Sequence, residues 1–311
     1  MQLHRSSGNF WLGFGLATTT MLLWASLPIA LKLLLAHLDA TSIIAARFAI
    51  ASLLLGVILL GRGRQPRFGE LRGGRWILLV VATTFLAGNY LFYMLGLDRT
   101  TAANAQVLIQ LAPLLLALGG IFVFREHFVR LQWVGFAILV AGLVLFFWDQ
   151  VQAFVDSFDR YVSGSSMMIA AAFTWAVYGL AQKQLLAWWP SQSIMVCVYA
   201  GCALLFLPWS DAGAIARLDA AGLGLLLYAA LNTLVAYGCF SEALAHWEAS
   251  RVAAVLALTP LTTLVLVVTL ERWAPAWVEA ERLGGLSLAG AGLVVAGSIL
   301  VALGQRWSRA T

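Results

Sequence analysis

Residues 22–32 read LLWASLPIALK and residues 173–183 read FTWAVYGLAQK. In each, a Trp-Ala pair stands eight residues ahead of a lysine, Trp24-Ala25 before Lys32 and Trp175-Ala176 before Lys183, an offset of 151 residues. Both stretches lie inside long apolar runs, and the rest of the chain repeats that texture. Apolar residues make up 62% of the 311 positions and charged residues 11%. Soluble domains carry roughly 25% charged residues, so this chain cannot cover a water-facing surface. A bilayer core of about 30 Å takes about 20 residues of helix to cross. Ten runs approach that length: 10–35, 41–60, 76–97, 102–124, 131–148, 167–189, 191–209, 220–244, 252–270 and 283–303. Period-two alternation is absent, which argues against a β-barrel. A helix closes its backbone hydrogen bonds within one segment, as lipid requires. The expected fold is all-α and membrane-integral, with ten transmembrane helices. The first run is too long for a cleaved signal peptide and holds Pro28 and Lys32, so it is expected to stay.

Charge in the gaps sets the orientation. One face collects Arg5, the five arginines of GRGRQPRFGELRGGR at 61–75, Arg125, Arg130, Lys183, Arg251, Arg306 and Arg309. The other collects Lys32, Arg99, Arg160, Arg217, Arg272 and Arg282. The richer face is expected to be cytoplasmic and to hold both termini, in the inner (plasma) membrane of a bacterium. The net charge of +5 forms no basic stripe, so no nucleic-acid partner is expected. Cys197, Cys202 and Cys239 all fall in apolar runs, and the four histidines are scattered. No metal site, disulfide framework or cofactor is expected. GxxxxGK[ST] does not occur, which argues against direct driving by ATP. HxxE, paired Asp and Ser/His constellations at a membrane face are also missing, so an enzyme is not expected.

The two halves keep a common order. Tyr90, Leu97, Ala102, Leu111, Pro113 and Leu114 recur as Tyr237, Leu244, Ala249, Leu258, Pro260 and Leu261, at an offset of 147. Glu126 and Glu271 close the fourth and ninth runs, and Gly135 and Gly142 recur as Gly290 and Gly297. Residues 1–148 and 167–311 then form two five-helix repeats joined by a periplasmic loop at 149–166. Five crossings is an odd number, so the second repeat enters from the opposite side. Inverted repeats of this kind are common in transporters with a central site.

The Trp and Lys of LLWASLPIALK, Arg47-Phe48, Pro113 and Pro260, and the acidic ends of the fourth and ninth runs carry a resemblance to the EamA-like ten-helix branch of the drug/metabolite transporter superfamily. It covers roughly residues 10–305. The fourth run ends FREH and the ninth LERW, where members more often show a Leu-Gly-Glu turn. The resemblance implies a transporter of small metabolites, and it strengthens a polar role for Arg47.

Polar groups within membrane helices face a cavity or one another. Trp24, Pro28 and Lys32 fall within an arc of about 80° on one helix, and Trp175, Gly179 and Lys183, with Tyr178 beside them, repeat the stripe. Each stripe offers an aromatic wall and a cation, while either lysine also has the option of snorkelling to a headgroup layer. Arg47 lies about six residues into its run, some ~9 Å along the axis, with no acid nearby in sequence. Asn89 and Tyr93, Gln106 and Gln110 beside Asn104, and Tyr228 with Asn232 add amides and phenols at helical spacing. These bind a substrate or hold helices together. Pro113 and Pro260 are candidate hinges, and the four glycines mark close helix contact, mutual or with a second copy of the chain in a homodimer. None of the fourteen acids lies at mid-membrane. Proton-coupled exporters of cations need such a carboxylate, so a neutral or carboxylate-bearing solute fits better. The expected function is a secondary transporter, exporting or exchanging small metabolites such as amino acids by alternating access. A channel or a structural membrane protein is the alternative.

Overall fold

A computed structural model of the chain describes residues 4, 6–66, 68–70, 72–99, 108–146, 148, 158–273 and 285–310. Regular structure among them is helical, without strands. The principal helices are α1 (Phe10–Leu35), α2 (Ala40–Gly61), α3 (Gly74–Arg99), α4 (Leu111–Phe124), α5 (Arg130–Phe146) and α6 (Phe158–Leu185). They continue as α7 (Ser191–Phe206), α8 (Ala220–His246), α9 (Ala249–Leu256), α10 (Thr259–Trp273) and α11 (Gly285–Ala310). Eight stretches among the described residues are long and apolar enough to cross a membrane, with α9 and α10 counted as one from Ala249 to Trp273. The helices α4 and α5 are apolar but shorter. Apolar side chains such as Leu53, Ile77, Phe122, Leu204 and Val265 stand exposed on successive helices. Such faces are stable only against lipid.

Local chemistry explains the boundaries. Asn9 and Asp39 cap α1 and α2, their side chains accepting from the amides of Leu12 at 3.3 Å and Ser42 at 3.0 Å. The sixth helix ends at Leu185, ahead of Pro190, and begins at Phe158 rather than 167. The polar residues of 158–166 lower hydropathy without breaking a helix, so part of the expected loop is helical.

The two prolines act as their chemistry requires, since each lacks an amide hydrogen and crowds the carbonyl four residues back. A turn at Gln110 precedes α4, three residues before Pro113, and turns at Ala257 and Leu258 separate α9 from α10, just before Pro260. Gln110 and Ala257 are repeat mates at the same offset of 147 as the prolines. The Leu256 carbonyl, which Pro260 cannot reach with an amide, accepts the Thr259 hydroxyl at 2.6 Å.

The chain divides into two compact units. The first takes Met1–Tyr90 and Val177–His246, the second Leu91–Ala176 and Trp247–Thr311. In the first, α1 packs on α8 and α2 packs on α7 and α8. In the second, α5 lies along α11, and α9 lies against α4 and α11. Glycine sets the α5–α11 pairing. A Cβ on Gly135 would fall 3.0 Å from the Gly297 carbonyl oxygen, and one on Gly142 would fall 2.6 Å from the Val294 nitrogen. One on Gly290 would fall 2.8 Å from the Gly142 carbonyl. The helices touch backbone to backbone, and Gln132 adds a 2.8 Å hydrogen bond from Nε2 to the Val301 carbonyl. These glycine faces meet each other within one chain.

Candidate functional site

Polar groups of the first unit gather around Arg47. Its side chain is 1% exposed, set by the run of small and apolar residues that buries α2. Nε donates to Thr233 Oγ1 at 3.0 Å and to the Ala229 carbonyl at 3.3 Å, and Nη2 donates to Tyr90 Oη at 3.3 Å. The guanidinium carbon lies 5.1 Å from the centroid of the Tyr90 ring. All these partners are neutral, and among the described residues no carboxylate bonds to the guanidinium. The guanidinium is thus held by neutral dipoles within the first unit.

Aromatic rings form the surroundings. Tyr90 lies 4.8 Å from Phe48 and 6.1 Å from Tyr237, centroid to centroid. Tyr237 also meets Trp24 at 5.0 Å and Tyr178 at 6.0 Å, and Phe240 lies 5.7 Å from Trp24. The Tyr199 hydroxyl donates to the Thr233 carbonyl at 3.0 Å, on the helix turn that receives Arg47. Nearby on α8, Asn232 is 2% exposed and donates from Nδ2 to the Leu23 carbonyl at 2.7 Å. Its Oδ1 accepts from no described residue.

The predicted residues scatter in an informative way. Trp24, Arg47, Tyr178 and Asn232 belong to this constellation, and Asn89 is buried in the same unit. Lys32 is exposed in the last turn of α1. Lys183 is 2% exposed at the end of α6, beside His4 of the N-terminal tail. The tail is docked there. Ser7 and Gly8 donate their amides to the carbonyls of Ala245 and His246, Ser7 Oγ bonds His246 Nδ1 at 2.6 Å, and the His4 amide reaches Gln184 Oε1 at 3.4 Å. Burial and then the Lys183 charge pull the His4 imidazole from 6.5 down to about 4.

The second unit holds Tyr93, which is half-buried, Trp175, which is buried, and Gln110. Gln110 is 8% exposed at the turn before α4, and its Oε1 has no donor among the described residues. Gln106 and Asn104 lie outside the described residues, as does 149–157 of the connecting segment. Sequence reasoning missed Tyr199 and Thr233, which hold the Arg47 turn of α8, and took Tyr237 only as the repeat mate of Tyr90. The signal for Tyr237 was that mating, since the two rings touch.

Helices long enough to span a bilayer, with exposed apolar faces around buried polar groups, define a multi-pass membrane protein. The chain belongs to the EamA-like transporter family, which matches residues 11–148 and 162–303. It is a transporter and not an enzyme. It is 35% identical over 295 residues to a Haemophilus influenzae protein named an uncharacterized transporter, covering 95% of this chain and 96% of that one. Similarity to the uncharacterized inner membrane transporter YhbE of Escherichia coli K12 is 36% identity, over 95% of this chain and 92% of YhbE. A Salmonella typhimurium protein named a probable amino-acid metabolite efflux pump is 25% identical, over 94% of this chain and 96% of that protein. A solved crystal structure at 18% identity aligns with a TM-score of 0.76 over 95% of this chain and 98% of its own, a likeness of fold.

Proposed function

We propose that the chain is a secondary transporter that exports or exchanges small carboxylate-bearing metabolites, amino acids foremost, by alternating access. The observation that carries this is Arg47, a buried cation with neutral partners inside an aromatic wall. A substrate carboxylate supplies the missing charge, and the Asn232 Oδ1, which accepts from no described residue, suits an ammonium donor. The Salmonella relative's name points to the same class.

Alternating access rests on ten helices in two inverted repeats, with both termini cytoplasmic in an inner membrane. Three contacts and a pair of helix breaks support that architecture. A two-fold relation turns Gly135 against Gly297 into Gly290 against Gly142, and both contacts occur. Tyr90 meets its own mate Tyr237. The helix breaks at Gln110 and Ala257 fall at equivalent positions, which favours Pro113 and Pro260 as paired hinges.

The test is counterflow in proteoliposomes preloaded with single amino acids. A saturable exchange signal is expected, and Arg47→Ala should lower it roughly tenfold or more, the worth of one lost charge-assisted contact. Lys32→Ala should lower it less, because Lys32 is exposed. Non-saturating flux, or an Arg47→Ala protein as active as the parent, would sink the proposal.

A further inference from the structure

The turn after α4 carries a carboxylate that the substrate site leaves unused. Glu126 receives three hydrogen bonds from the start of α9. The Ala249 amide donates to Oε1 at 2.6 Å, and the amide and hydroxyl of Ser250 donate to Oε2 at 3.1 and 2.6 Å. The carboxylate has a fitted seat, because a Cβ on Gly120 would fall 2.6 Å from Oε2 and 3.1 Å from the Ala249 Cβ. The left-handed Arg125, with φ of 53°, turns the chain so that Glu126 reaches it.

What the seat holds is a short lever. The helix α9 runs eight residues from the clasp to the break before Pro260. One end is thus hinged and the other tied by a charge. The first amides of a helix have no partner within it and carry its positive end, so they bind a carboxylate well. Water satisfies the same amides and the same carboxylate once they part. The clasp is therefore reversible in a way that interlocked apolar packing is not.

On this geometry we infer that Glu126 is a gating residue. Its carboxylate ties α9 to the end of α4 in the closed state, and its release frees the lever during each transport cycle. The inference rests on the alternating-access reading and gives Glu126 a role in conformation rather than in substrate contact. Its sequence mate Glu271 is exposed at the end of α10.

Thiol labelling tests this without any substrate, so its outcome is separate from the counterflow assay. Ala253 is buried within α9, and Ala253→Cys in a chain with Cys197, Cys202 and Cys239 replaced by alanine gives a reporter. Added Glu126→Gln is expected to speed labelling by a membrane-impermeant reagent about tenfold, the equilibrium shift for one charge-assisted hydrogen bond. Gly120→Ala, which fills the seat and keeps the carboxylate, should do the same, and Ser250→Ala should do so more weakly. In the parent chain, each of these variants should change maximal counterflow rate more than half-saturation. Folded Glu126→Gln and Gly120→Ala proteins with parental labelling and rates would overturn the inference and leave Glu126 a helix cap. If Glu126→Gln does not fold, Gly120→Ala and Ser250→Ala decide by the same readings.

Discussion

At the scale of single residues, Arg125 shows what a left-handed helix end costs. It follows the last residue of α4, and the backbone there is left-handed, at φ of 53°. That conformation costs an L side chain about 1 kcal/mol relative to glycine. Arg125→Gly is expected to stabilise the detergent-solubilised protein by about that amount, read as a raised melting temperature; an unchanged or lowered one would contradict it. His4 makes a prediction of opposite character. Its imidazole is held near 4 when the tail is docked and titrates at 6.5 when free, so the released tail binds more protons between those values. Docking is thus complete above 6.5 and weakens as pH falls towards 4. Amide exchange at Ser7 and Gly8, corrected for its intrinsic pH dependence, should quicken between pH 7 and 5, and His4→Asn should remove most of that response. Neither effect was legible beforehand. A left-handed residue leaves no mark in composition, and a docked tail depends on partners some 180 to 240 positions away.

At the scale of elements, the glycines were the most readable feature. Small residues spaced by seven on two helices announce close approach, and the α5–α11 contact realises it. Gly142→Leu should cost about 3 kcal/mol, because no rotamer escapes the backbone of α11, and Gly142→Ala less. Thermal unfolding in detergent measures both, and a Leu variant within error of the parent would refute the contact. The proline positions were readable too, but the details of the breaks were not. That Thr259 would take up the freed carbonyl of Leu256 depends on a hydroxyl rotamer. Eight of the ten expected runs coincide with stretches long and apolar enough to cross a membrane, and the other two with the shorter α4 and α5, whereas α6 extends further towards its start than hydropathy suggested. Arg47 was singled out by its isolation from any acid, a property that sequence displays directly. Tyr199 and Thr233 were missed because an aromatic or a threonine in an apolar run looks like any other core residue.

At the scale of the whole molecule, the two compact units interleave along the chain. The first unit takes residues from both sides of 149–157, and so does the second. A gene cut within that stretch would therefore yield two polypeptides, each holding only part of either folding body. Expressed alone, each fragment should be degraded or captured by chaperones, with unmatched faces such as those of α1 and α5. Expressed together, they should complement one another and restore counterflow. Recovery of a stable, monodisperse N-terminal fragment on its own would contradict this. Such complementation would make the intact chain the covalent form of a two-part assembly: two partners, each useless until it meets the other.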